Sequence, residues 1–102
     1  MHLYCDLFLN SEPLWYGVAC INNEFIDSYP YLGFVGHLMF TDTQGTTDPQ
    51  YQGLGPGGRY LLLYTADGTG ADAVQVPLQA IPSQQFDVQL GTQYCTLSVY
   101  AL

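Results

Sequence analysis

The chain has 102 residues, a length that suits one domain with one hydrophobic core. Nine acidic residues stand against one arginine and no lysine, so the formal net charge is −8. This balance argues against binding to nucleic acid, whose phosphates require Lys and Arg, and against an anionic membrane surface. We expect no transmembrane segment and no secretion signal, because no apolar run of about 18 residues occurs and the first residues lack a basic region.

The surface composition is unusual for a free monomer. Only 10% of the residues are charged, whereas 15% are aromatic and nine residues are tyrosine. Low charge with abundant tyrosine suits a surface covered by neighbouring subunits, since interface cores lose charge and gain aromatic residues. A tyrosine-rich β core inside a polar surface would give the same composition, so both explanations stay open.

Three cysteines, Cys5, Cys20 and Cys95, lie far apart in the sequence. Their odd number and wide spacing match no zinc or redox motif. Each lies in an apolar, strand-like context, so we expect buried free thiols in a reducing compartment. A Cys5–Cys95 disulfide is the alternative if the strands that contain them pair.

The chain begins with two predicted strands, and no helical repeat of useful length occurs anywhere. Residues 3–10 alternate between two faces, and residues 14–21 form the second strand after a turn at 10–13. The faces of the first strand are Leu3, Cys5, Leu7 and Leu9 on one side, and Tyr4, Asp6, Phe8 and Asn10 on the other. Gly17 interrupts the second strand and predicts a bulge there.

The middle of the chain mixes strands with irregular segments. Residues 25–34 are predicted to be irregular because Pro30 cannot donate to a sheet. A strand at 36–43 is followed by a loop at 44–58 that contains five glycines and two prolines. Residues 59–65 form an almost continuous apolar run, which is typical of a strand covered on both faces.

The last third begins with residues 66–73, whose small and flexible composition is typical of a linker. An extended approach, residues 74–82, then leads into strands at 83–90 and 94–102. Their inward residues are predicted to be Phe86, Val88 and Leu90, and Cys95, Leu97, Val99 and Ala101. About seven strands in total predict an all-β fold, either a small antiparallel β-sandwich or a β-barrel. The terminal strands resemble a hairpin that has been opened at its loop, so we expect residues 94–102 to pair with residues 3–10.

The candidate motifs for metal, calcium and phosphate binding in this sequence are all incomplete. His37 with Asp42 offers too few ligands for a metal, and a hydrogen-bonded residue at a strand end explains His37 better. Asp42 and Asp48 would give a calcium loop only two acids, without a closing glutamate. The glycines at 53–58 lack the Lys-Ser/Thr and the helix of a phosphate-binding loop. We therefore expect no catalytic residue, no cofactor and no metal.

Arg59 is the only strong cation, so it must lie beside some of the acids. It is predicted to form a salt bridge within the domain or with an acid of a neighbouring subunit. Together with Tyr51 and Tyr100 it is a candidate subunit-interface or salt-bridge residue. In the alternative of a ligand-binding module, the lining residues would be Trp15, Tyr16, Tyr29 and Tyr31.

Two blocks of this sequence resemble the phage baseplate plug family of contractile-tailed phages. The block at 76–100 carries the pairs Pro77-Leu78, Ile81-Pro82, Gln85-Phe86 and Leu90-Gly91, which resemble the opening of the family. The more specific block lies in residues 1–65 and carries a signature at Asp48, Pro49, Tyr51, Gly53, Leu54 and Gly55. Together they cover nearly the whole chain.

The order of the two blocks is reversed relative to the family. Residues 1–65 resemble the family's C-terminal part and residues 76–102 its N-terminal part, with a linker at 66–75. The resemblance therefore implies a single domain, 1–102, that is circularly permuted, and the position of Met1 suggests engineering. A free terminal strand also raises the expectation of strand exchange between subunits.

The resemblance implies a non-enzymatic structural protein of the virion, located in the phage tail baseplate and assembled in the host cytoplasm. There it would pack against tail hub or tube proteins and help to block the lumen. A cyclic homo-oligomer is expected, with a trimer as the leading form. The alternative from a different class is a soluble small-ligand-binding β module, which would be a strict monomer with a deep pocket.

Overall fold

Strands make up nearly all regular structure in the computed structural model, which describes residues 2–26, 34–66 and 73–102. The elements are β1 (Leu3–Leu9), β2 (Glu12–Ala19), β3 (His37–Asp42), a 3₁₀ turn (Tyr51–Gly53), β4 (Tyr60–Thr65), β5 (Val74–Val76), β6 (Ser83–Leu90) and β7 (Gln93–Ala101). The prediction of an all-β fold with about seven strands is confirmed. Within these ranges, no helix is long and apolar enough to cross a membrane.

The strands form two antiparallel sheets. The four-stranded sheet has the order β2-β1-β7-β6, and the three-stranded sheet has the order β3-β4-β5. One hydrophobic core contains residues from both sheets, among them Leu3, Leu7, Leu97 and Val99 from the first and Leu38, Phe40 and Leu62 from the second. Two sheets that bury their inner faces against each other form a β-sandwich, the first of the two predicted architectures.

The predicted alternation of β1 and β7 is confirmed. Leu3, Cys5 and Leu7 are fully buried, whereas the residues between them are partly exposed. Residues Leu97 and Val99 are buried in the same way on β7. Side chains on a strand alternate between the two faces of the sheet, so the residues between these point away from the core.

The first and last strands of the chain are neighbours, as predicted. β1 and β7 pair antiparallel from Leu3 opposite Ala101 to Leu9 opposite Cys95. Beyond this ladder, the Leu102 N–H donates to the His2 carbonyl oxygen at 3.1 Å. The two terminal strands therefore lie side by side in the centre of the four-stranded sheet.

The alternative of a Cys5–Cys95 disulfide is wrong, although the two strands do pair. The register places Cys95 opposite Leu9, whereas Cys5 lies opposite Val99, four positions along the ladder. Cys5 instead meets Cys20, with 3.1 Å between the two Sγ atoms. All three cysteines are buried free thiols. Hydrogen bonding to Cys20, together with burial, raises the pKa of the Cys5 thiol.

The first turn is shorter than the predicted turn at 10–13. Only Asn10 and Ser11, with φ of 50° and 67°, lie between the strands, and Glu12 and Pro13 belong to β2. Proline is tolerated there because β2 is an edge strand, whose outer N–H groups need no partner in the sheet. The predicted bulge at Gly17 is confirmed, since Gly17 has φ of +62° and the register shifts between Cys5 and Leu7.

Two predicted segments fall largely outside the described residues. The irregular segment with Pro30 includes residues 27–33, and the predicted linker includes residues 67–72. Val74 and Gln75, the last two residues of the predicted linker, pair in β5 with Tyr64 and Leu63 of β4. The regular structure thus resumes within the predicted linker bounds of 66–75.

Candidate functional site

The residues considered for metal binding serve other contacts. In the described parts of the chain, no group of three His, Cys, Asp or Glu side chains is placed to hold a metal ion. The His37 ring stacks on Phe25 with 4.4 Å between ring centroids. Asp42 is occupied by Arg59, and Asp48 accepts the Asn22 backbone N–H at 3.0 Å.

Arg59 forms a bidentate ion pair with Asp42 of the same chain. Its Nε and Nη2 atoms donate to Oδ1 and Oδ2 of Asp42, both at 2.7 Å. Asp42 also accepts the backbone N–H groups of Gln44 and Thr47 at 2.9 Å. The Arg59 hydrogen bonds, followed by these backbone donors, hold the pKa of Asp42 well below its usual value, although burial acts in the opposite direction. The pair fixes the loop after β3 to the start of β4.

Arg59, Tyr51 and Tyr100 come from different elements of the fold. Tyr51 opens the 3₁₀ turn and packs against the core, and the end of that turn, Gly53, lies against Arg59 and Tyr60. Tyr100 belongs to β7 in the other sheet. A role for each residue at a subunit interface stays a prediction.

The residues proposed to line a ligand site are also separated. Trp15 is buried at 3% exposure and its neighbour Tyr16 is 63% exposed, because consecutive residues of β2 point to opposite faces. Tyr29 and Tyr31 lie outside the described residues. A groove of about 560 Å³ lies between Pro77 and the start of β6, but neither Trp15 nor Tyr16 lines it.

The outer face of the four-stranded sheet carries the most distinctive set of side chains. We call it the tyrosine face and define it by Tyr4, Tyr16, Tyr94, Tyr100, Phe8, Asp6 and Asp87. These residues alternate with the buried residues of β1, β2, β6 and β7, so the sheet itself sets their direction. Tyr94 is 68% exposed, an unusually high fraction for an aromatic side chain.

Aromatic contacts order one part of this face. The Tyr4 and Tyr100 rings stack with 6.2 Å between centroids, and His2 lies 5.8 Å from Tyr4. Phe8 meets Tyr16 edge to face at 5.7 Å. Ring pairs of this kind stabilise their arrangement beyond the area they bury, so the face is held in shape before any partner arrives.

Both carboxylates of the tyrosine face are fixed by hydrogen bonds. Asp6 Oδ1 accepts the Tyr100 hydroxyl at 2.8 Å and the Gly17 backbone N–H at 2.7 Å. Asp87 Oδ1 accepts the Thr96 hydroxyl at 2.7 Å. Burial, followed by the hydrogen bond to Asp6, raises the pKa of Tyr100 to about 12.

The face has negative charge without a neighbouring arginine or lysine. The chain contains a single Arg/Lys residue, Arg59, and it is engaged by Asp42 at the end of β3 in the other sheet. Asp6 and Asp87 belong to β1 and β6, with β7 between them. The arrangement can therefore present two fixed carboxylates among aromatic rings.

Sequence reasoning named Tyr100 but missed Asp6 and Asp87. The alternation of residues 3–10 already placed Asp6 between Tyr4 and Phe8 on one face. Its partnership with Tyr100 depends on the pairing of β1 with β7, and Asp87 joins the same face only once β6 is known to border β7. Placing Asp6 and Asp87 on one face requires the order of the strands in the sheet, which the sequence pattern does not reveal.

Comparison with known protein families gives a match. The family model described as "Cyanophage baseplate Pam3 plug gp18" matches residues 1–67, about two thirds of the chain and the part that carries the Asp-Pro-x-Tyr-x-Gly-Leu-Gly signature. No curated protein and no solved structure matches the chain. Because the match spans well over half of the residues, the chain belongs to the family of cyanophage baseplate plug proteins.

Proposed function

We propose that the protein is a non-enzymatic structural component of a phage tail baseplate. The observation that carries this proposal is the family match over residues 1–67. The ordered tyrosine face gives further support, since aromatic side chains are enriched where proteins pack against each other. In this role the chain resides in the virion after assembly in the host cytoplasm and packs against hub or tube proteins around the tail lumen.

Mass spectrometry of purified phage particles that carry this gene tests the proposal. The chain should be present at a few copies per particle and should remain with isolated baseplates after the heads are removed. Detection of the chain in infected cells but not in tails would overturn the structural role. Fractions that contain heads alone serve as the control.

We further propose a cyclic homo-oligomer, with a trimer as its expected form. The low share of charged residues, 10%, supports contacts between copies. Native mass spectrometry over a range of concentrations should reveal a species with three times the 11.3 kDa mass of one chain. A strict monomer at every concentration would contradict this proposal and favour the alternative of a ligand-binding module.

A circularly permuted order relative to the family is the third element of the proposal. The pairing of β1 with β7 supports it, because a short turn could join residues 102 and 2. A rearranged gene with that turn, and with its new ends within 67–72, should give a folded protein whose free energy of unfolding differs by a few kcal/mol at most. A rearranged chain that does not fold would contradict the permuted order.

A further inference from the structure

We propose that the tyrosine face docks a basic protein surface through arginine side chains, rather than a second copy of this chain. The inference rests on the proposed function only in that the partner is a protein. It goes further because it specifies the chemistry of the partner. Three observations carry it: the charge of the face, the fixed geometry of its carboxylates and the exposure of its aromatic rings.

The negative charge of the tyrosine face favours a partner surface of positive charge. Asp6 and Asp87 supply negative charge, and the chain's only arginine is occupied by Asp42 in the other sheet. If two copies met face to face, four carboxylates would approach each other without an arginine or lysine. Like charges across an interface are unfavourable, so two copies would not pair face to face through this surface, and a copy in any other orientation has no free arginine to offer it.

The carboxylates are positioned as a pair before binding. Tyr100 and Gly17 hold Asp6, and Thr96 holds Asp87, in each case through Oδ1. One intervening strand and two positions along the ladder separate the two residues. With strands ~4.8 Å apart and a rise of ~3.4 Å per residue, the carboxylates are roughly 12 Å apart. Two guanidinium groups of one partner surface could reach both.

The aromatic rings favour arginine over lysine. Tyr16 and Tyr94 are 63% and 68% exposed. Tyr94 lines the same groove as Asp87, and Tyr16 precedes Gly17, whose backbone N–H donates to Asp6. A guanidinium plane stacks on an aromatic face while its N–H groups pair with a carboxylate, whereas a lysine ammonium lacks this planar match. The face combines both elements of that recognition.

The test uses a decaarginine peptide as the probe and isothermal titration calorimetry as the measurement. Asp87→Asn and Glu24→Gln are matched variants, because each removes one negative charge at an exposed position. Glu24 lies in the turn after β2, where its neighbour Asn23 donates its N–H to Phe40 of the other sheet. We expect Asp87→Asn to weaken binding about fivefold or more, and Glu24→Gln to change it less than about twofold.

Equal weakening by both variants would overturn the proposal, because attraction to net charge alone would then explain binding. Equal affinity for decalysine would overturn the role of the aromatic rings. NMR amide shifts provide a second readout that does not depend on a variant. The largest shifts should occur at Gly17, Thr96 and Ser98, and largest shifts in β3 and β4 would contradict the assigned surface.

The docking proposal and the proposed structural role in the baseplate can fail independently of each other. A chain found in baseplates whose tyrosine face does not bind the peptide would leave the structural role intact and refute the docking chemistry. Selective arginine binding by a chain absent from tails would give the opposite result.

Discussion

The single arginine shows how one residue can stabilise a loop and make it sensitive to acid. Arg59 pairs with both oxygens of a carboxylate that two backbone N–H groups also contact. The Asp42 side chain has no exposed area, whereas the Arg59 side chain is 35% exposed, so the guanidinium covers a buried carboxylate from the surface. Arg59 is therefore paired within the chain in this structure.

Asp42→Asn should lower the thermal unfolding temperature at pH 7. The pKa of Asp42 is depressed in the folded state, so its contribution is present above the unfolded pKa of about 3.9 and is lost as pH falls below that value. The difference between wild type and variant should therefore shrink as the pH is lowered through about 4. Calorimetry from pH 7 to pH 3 measures this.

Glu24→Gln is the charge-matched control for this prediction, since Glu24 is exposed. It should leave the unfolding temperature nearly unchanged throughout the pH range. An Asp42→Asn variant with wild-type stability at pH 7 would show that the ion pair does not stabilise the loop.

Tyr100→Phe should lower the free energy of unfolding by about 1 kcal/mol, because it removes the hydrogen bond to Asp6. The folded pKa of about 12 is raised above the usual value of about 10. The contribution of Tyr100 is therefore complete below pH 10 and decreases as the pH rises towards 12. Absorbance of tyrosinate at alkaline pH should show one late step in the wild type that the variant lacks.

Tyr94→Phe is the matched control, because Tyr94 lies on the same strand and is largely exposed. This variant should keep the late step in tyrosinate absorbance and the wild-type free energy of unfolding. Loss of the late step in Tyr94→Phe but not in Tyr100→Phe would contradict the assignment.

At the scale of elements, the β1–β2 turn adopts a backbone conformation for which Asn-Ser is not the most favourable pair of residues. Asn10 and Ser11 both have positive φ, the geometry of the two-residue turns that match the twist of a hairpin. Asparagine tolerates this region of backbone space, whereas serine adopts it at a cost. Glycine is the residue that such turns prefer at the second position.

Ser11→Gly should therefore stabilise the protein by about 0.5–1 kcal/mol. Urea denaturation measures the change. The control is Ser83→Gly, which places glycine at the start of β6 and should destabilise by a similar amount. If Ser11→Gly destabilises the protein, the serine side chain makes a contact that stabilises the fold by more than the strained backbone conformation costs.

The elements themselves were largely predictable, because their apolar residues have a period of two. β1, β6 and β7 differ by at most one or two residues at their ends from the predicted strands. The turn at 10–13 was misplaced because Pro13 usually signals a turn, and only the edge position of β2 makes it acceptable in a strand. Strand β5 has only three residues, too few for a periodic pattern.

The candidate site was less predictable, since it depends on which strands are neighbours. Asp6 and Tyr100 are 94 positions apart in sequence, and no local pattern connects them. The Cys5–Cys20 contact was missed for the same reason, because it follows from the pairing of β1 with β2. Composition indicated abundant tyrosine but left open whether it lies on the surface or in the core, and the structure places it in both, with Tyr16 and Tyr94 exposed and Tyr60 and Tyr64 buried.

For the whole molecule, the net charge of −8 makes self-repulsion a general cost of folding. We expect the thermal unfolding temperature to rise as NaCl increases from about 10 mM to about 150 mM, where the Debye length falls to about 8 Å. Calorimetry at constant pH measures the rise.

Glu24→Lys reduces the net charge by two units and should give a flatter dependence on salt. A neutral osmolyte at matched osmolality separates screening from exclusion effects. An unfolding temperature that falls with added salt would mean that attractive pairs such as Arg59–Asp42 outweigh the repulsion.

The neighbouring positions of the two chain ends also determine how the protein responds to mechanical load. Because Leu3 lies opposite Ala101, a force applied between the ends pulls β1 and β7 apart from their outermost hydrogen bonds inward. The bonds then break one after another, as in a zipper, instead of sharing the load as they would in shear. The fold should therefore yield to a small pulling force along this axis even where heat and denaturant leave it intact.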